Sequence, residues 1–150
     1  KMELTKSNIK QQIKINGEVT IEVKFKSVGP NTFTDQFSAV HSQSVTEISP
    51  NNFCNQNTLT QVNLPNLVAV QESFQNCPSL EILKAPNLQL VGANCFTEAA
   101  IRILVLRKCK SVNQNAFSRS KLEFVELPLL EFLGKSAFSV CPALTYFYAP

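Results

Sequence analysis

The chain has 150 residues, of which 44% are hydrophobic and 17% charged, a balance that supports one domain with a core and excludes a disordered segment. The formal net charge of +3 is too small to point to a partner class, and no run approaches the eighteen apolar residues of a membrane-spanning helix. Five Cys, an odd number with none in a C-x-x-C pair, exclude the usual zinc pattern and a dense disulfide framework.

The first fourteen residues, Lys1 to Lys14, are polar and lysine-rich, without the apolar run of a signal peptide. Lys1 precedes Met2, so removal of an upstream segment, and export with it, stays open. Ile13 and Ile15, then Asn16-Gly17, then Val19, Ile21, Val23 and Phe25 predict a β-hairpin over residues 1–24. A three-residue loop with a bulge would put Ile13 and Val19 on one face, and that form is expected. The hairpin is the natural cap for residues 25–150 and forms a single structural unit with them.

From Phe33 onward the chain repeats. Phe33, Phe53, Phe74, Phe96, Phe117 and Phe138 are 20, 21, 22, 21 and 21 residues apart. A second series, Leu59, Leu80, Ile101, Leu122 and Leu144, is spaced by 21, 21, 21 and 22. Three residues after each comes Val62, Leu83, Leu104, Val125 or Phe147, and two further on Leu64, Ala85, Leu106, Leu127 or Ala149. Pro65, Pro86, Pro128 and Pro150 close the run, with Arg107 in that place once. A third series pairs Leu67 with Val70, Leu88 with Val91, Cys109 with Val112 and Leu130 with Leu133. Before the first full repeat, Phe37, Val40 and Ser42 read as the strand of a degenerate one.

Alternation such as Leu122, Val125, Leu127 suits a short strand buried on one side, and the proline, which has no N–H to donate, ends it. Gly, Pro, Asn and Ser before each Phe supply turns. One unit cannot bury its apolar side alone, but stacked units can. The fold expected is a leucine-rich-repeat solenoid, β-rich with short strands and turns or short helices in a horseshoe-type arrangement, of about six repeats of roughly 21 residues. The periodic Phe residues form its internal spine rather than an aromatic ligand box.

The segments Leu64-Pro65-Asn66-Leu67, Ser73-Phe74-Gln75-Asn76-Cys77-Pro78-Ser79-Leu80 and Ala137-Phe138-Ser139-Val140-Cys141-Pro142-Ala143-Leu144 resemble the BspA-type, or Treponema pallidum-type, leucine-rich repeat. The resemblance runs from about Phe25 to Pro150. It implies a surface or secreted protein used in adhesion to host proteins or cells. Gln56 and Glu98 stand where the family has Cys in the Phe53 and Phe96 repeats, and the period is shorter than the family's.

Strand side chains that point away from the spine line one exposed face. These are Gln61 and Asn63, Ile82 and Lys84, Ile103 and Val105, Phe124 and Glu126, and Tyr146 and Tyr148, preceded by Ala39 and His41. The face turns from polar to apolar and aromatic toward the C-terminus, the chemistry of a protein-binding surface. Neighbours on the sheet could equally pack on one another. After Pro150 closes the last strand, Tyr146, Phe147 and Tyr148 would lie on an open edge able to pair with further repeats or another copy.

Arg102, Arg107, Lys108, Lys110, Arg119 and Lys121 form a run without acidic residues, and Glu123, Glu126 and Glu131 come next. Without interleaved aromatics this reads as a solvated surface more readily than as a nucleic-acid site. His41 is the only histidine, no phosphate-binding or nucleophile-elbow motif occurs, and the carboxylates are scattered, so no catalytic residue, cofactor or metal is expected. Cys77 and Cys141 hold equivalent places three repeats apart. At about 4.8 Å per repeat that is about 14 Å, too far for a disulfide, so both should be free core thiols.

Overall fold

A computed structural model describes the backbone of residues 9–15, 18–23 and 27–28 and the whole of residues 36–150. Phe25, Phe33, the Asn16-Gly17 pair and the boundary between 24 and 25 lie outside the described residues. Among the described residues, fourteen short strands form three sheets, two of them end to end on the front side of a solenoid and one on its back. On the front side lie β1 (Ile9–Ile15), β2 (Glu18–Val23), β4 (Ala39–His41), β6 (Gln61–Asn63), β8 (Ile82–Lys84), β10 (Ile103–Val105), β12 (Phe124–Glu126) and β14 (Tyr146–Tyr148). The back sheet is a continuous ladder of β3 (Ser27–Val28), β5 (Glu47–Ile48), β7 (Ala69–Val70), β9 (Leu90–Val91), β11 (Ser111–Val112) and β13 (Phe132–Leu133).

Successive coils pair in parallel, each residue with its equivalent one period on: Val62 with Leu83, Leu104 with Val125, Val125 with Phe147. The expected column forms between the sheets. Phe53, Phe74, Phe96, Phe117 and Phe138 stack ring on ring with centroids 4.9, 5.5, 5.2 and 5.3 Å apart and planes within 10°. These distances approach the inter-strand spacing of about 4.8 Å, because rings fixed to equivalent backbone positions inherit the sheet's repeat. Phe37 takes the place of Leu59 in the preceding coil. Being longer, it reaches Phe53 and meets that ring edge-on at 5.8 Å. Leu59, Leu80, Ile101 and Leu122 are fully buried beside the column. The result is about five turns of about 21 residues.

No helix occurs among the described residues, so the third side of each coil is not the short helix left open by the sequence. The residues two before and two after each Phe have left-handed backbones, such as Asn51 and Asn55, Asn94 and Glu98, or Ser136 and Val140. This turns their N–H groups along the solenoid axis. Asn76, Glu98 and Arg119 donate to the carbonyls of Thr97, Ser118 and Ser139 in the next coil at 3.1, 3.0 and 2.9 Å. Backbone donors that a helix would bind internally thus bind between coils. Asn tolerates this conformation best and fills half of those ten places, namely 51, 55, 76, 94 and 115. Gly92 allows a different close approach: a Cβ there would lie 2.8 Å from Gln71 Cα of the preceding coil.

Three details depart from the sequence reading. Ile15 pairs with Glu18, leaving two residues between β1 and β2 rather than three, and the irregularity lies between Ile9 and Gln12. Asn-Gly suits such a two-residue connection directly, so no bulge is needed beside it. Glu98 is not in the cysteine's place: it matches Asn76, and Ala99, buried, matches Cys77. Finally, the front sheet is interrupted between β8 and β10. Leu64 and Leu106 donate to Lys84 and Glu126 of the next strand, but Ala85 has no such bond to Val105. Around Phe96 both corners change length at once. Phe74 follows Val70 by four residues and Phe96 follows Val91 by five; Leu80 follows Phe74 by six and Ile101 follows Phe96 by five.

Candidate partner-binding face and a neighbouring cleft

Alternation on the front strands separates two sets of side chains. Val40, Val62, Leu104 and Val125 are buried and point at the spine. The residues flanking them are half-buried or exposed: Gln61, Asn63, Ile82 and Lys84 on one side of the interruption, and Ile103, Val105, Phe124, Glu126, Tyr146 and Tyr148 on the other. In-register pairing arranges them in two columns. Ile103, Phe124 and Tyr146 lie one above another, as do Val105, Glu126 and Tyr148. Phe124 and Tyr146 stack at 4.4 Å with planes 5° apart, so their mutual faces are covered while the column's outer surface is open. Ile103 is 68% exposed and Tyr148 49%. Gln61, Asn63, Lys84 and Ile82 stand on the other piece of the front sheet, and Glu126 is the one polar member on this piece. The interruption therefore divides the ten residues into a mainly polar patch and an apolar-aromatic patch.

The basic run has a structural explanation. Arg102 pairs with Glu123 at 2.6 Å, Lys110 with Glu131 at 2.8 Å, Arg119 with Glu98 at 3.3 Å and Arg107 with Glu126 at 4.0 Å. Three of these pairs are 21 residues apart, one period, so a basic block followed by an acidic one becomes a row of bridges between coils. Lys108 donates to the Asn87 side chain at 2.6 Å. Lys108 and Lys121 are the two members with no ion pair among the described residues, and of the two only Lys108 has a side-chain hydrogen bond there.

Lys121 lines a cleft of about 480 Å³ that the sequence reading missed, together with Arg102, Arg119 and Glu123 on one side and Val140, Pro142 and Ala143 on the other. It lies where the link length steps. Five residues separate Phe117 from Leu122, but six separate Phe138 from Leu144, and the longer link carries Pro142 and Ala143. That change of spacing was the available signal.

All five cysteines are free. The thiols of Cys77 and Cys141 donate to the carbonyls of Phe53 and Phe117, one coil back, at 3.1 and 3.3 Å. Burial pushes the Cys77 and Cys95 thiols up to about 12 and Cys109 up to about 11. They stay protonated at neutral pH, which suits packing rather than nucleophilic chemistry. Among the described residues no group of His, Cys, Asp and Glu is placed to hold a metal, and no helix is long and apolar enough to cross a membrane.

Stacked parallel strands, an aromatic spine and asparagine-rich turns define a leucine-rich-repeat β-solenoid, a fold typically used as a non-enzymatic scaffold for interactions. The BspA type leucine rich repeat region matches residues 4–73 and 33–145 in six copies, and the chain belongs to this family. Among solved structures it is similar to a leucine rich cell surface protein from Faecalibacterium prausnitzii A2-165, with a TM-score of 0.58 and 15% identity over 99% of this chain. This chain spans 55% of that protein's length. No curated protein matches.

Proposed function

We propose that this chain is a non-enzymatic protein-binding module of the adhesion type, and that its partner docks on the apolar-aromatic patch of the front face. The observation that carries this reading is the open column of Ile103, Phe124 and Tyr146 with Tyr148 beside it, on a strand set held rigid by the spine. Rigid exposed aromatics bury large area at small entropic cost, and Tyr is favoured at the centres of protein interfaces. The cell-surface description of the structural relative supports an extracellular or host cell-surface protein as partner. Neutralisation of the basic run by glutamates argues against nucleic acid. The test is binding to a panel of cell-surface and extracellular-matrix proteins. Changing Phe124, Tyr146 and Tyr148 together to Ser should weaken any specific interaction by tenfold or more, on the order of 1.4 kcal/mol. Unchanged affinity would contradict the assignment.

A further inference from the structure

We propose that the cleft between the Phe117 and Phe138 coils is a second binding site, which takes a carboxylate-bearing, partly apolar peptide segment of a partner protein. Three observations converge on it. The first is shape: a hollow of about 480 Å³ falls in the size range of ligand sites, and it lies where a five-residue link steps to a six-residue one.

The second is charge. Arg102 is matched by Glu123 and Arg119 by Glu98, which leaves Lys121 as a cation without a carboxylate. Three positive groups against two negative ones leave room for one incoming carboxylate. The opposite wall, Val140, Pro142 and Ala143, offers apolar surface only, so a bare inorganic anion would leave half the cleft unused.

The third is a strained rim. Val140 has φ 53° and is 69% exposed. The equivalent places hold Asn55, Asn76, Glu98 and Arg119, none of them β-branched. A β-branched residue in the left-handed region is a genuine outlier, and such strain concentrates at binding sites. Here it presents an isopropyl group at the mouth of the cleft, where a ligand side chain would meet it. This site uses none of Phe124, Tyr146 or Tyr148, so it stands or falls apart from the front-face reading.

The probe is a fluorescein-labelled peptide of alternating Leu and Glu, with a Leu and Gln peptide as control, read by fluorescence anisotropy on the whole chain. The Glu peptide should bind saturably with a Kd on the order of 100 µM to 1 mM. Lys121→Gln should weaken it about fivefold, the scale of one solvent-accessible ion pair. Lys108→Gln, outside the cleft, should leave it unchanged, and circular dichroism should report both variants folded. Equal binding of the Gln peptide, or equal effects of the two lysine variants, would overturn the proposal. So would tighter binding of a short single-stranded oligonucleotide, which would mark a general polyanion surface.

Discussion

At the residue scale, the cysteines illustrate how one position is solved differently along the solenoid. The place three residues after Phe is Cys77 or Cys141, whose thiols serve a carbonyl one coil back. In the Phe96 coil the same place is Ala99, and in the Phe117 coil Ser120, whose hydroxyl lies 3.3 Å from the Cys141 sulfur. In the Phe53 coil it is Gln56, also buried, so the place tolerates groups of different size, and sulfur is one way to fill it. The buried thiols also set a pH limit. An unfolded thiol ionises near pH 8.5, whereas those of Cys77, Cys95 and Cys109 do so only near 11 to 12 in the fold. Between those limits the unfolded chain releases protons that the folded one retains, so stability is complete below pH 8.5 and falls above it. The expected slope is up to about 1.4 kcal/mol per pH unit for each thiol. Urea denaturation from pH 7 to pH 10 should show this decline, and Cys95→Ala should make it shallower. A stability flat across that range would refute the burial assigned to these groups.

At the element scale, the inter-coil ion pairs connect exposed side chains, and each contributes at most about 1 kcal/mol. Their value lies in register: a one-coil slip would set Lys110 away from Glu131. The period of 21 residues, the alternation and the closing prolines were legible in the sequence because each reports a local requirement of a stacked strand. The interrupted front sheet was not legible, because the two corner lengths that change near Phe96 cancel and leave Leu80 and Ile101 the usual 21 residues apart. The hairpin register, with Ile15 opposite Glu18, follows the two-residue connection that Asn-Gly favours rather than the alignment of Ile13 and Val19 on one face. β2 nonetheless pairs in parallel with β4, Ile21 opposite Val40. We propose that this hairpin acts as the cap of the first coil. Removing residues 1–24 should lower the melting midpoint by roughly 5 °C or more. An unchanged midpoint would remove that role.

At the scale of the whole molecule, the same stacking that makes the core makes the candidate face. The Phe column fixes each coil over the last, and the strands then carry Ile103, Phe124 and Tyr146 outward in line. The ten face residues were legible from alternation alone. Their division into two patches was not, since it arises from the sheet interruption, and the cleft beside them appeared only once link lengths became geometry. The stacking itself can be tested with two phenylalanines of opposite placement. Phe96 is fully buried in the column, whereas Phe132, in β13, is 55% exposed. Chemical denaturation should find that Phe96→Ala costs about 3 to 5 kcal/mol and Phe132→Ala less than about 1 kcal/mol. Equal losses from the two substitutions would contradict a register-stacked aromatic spine.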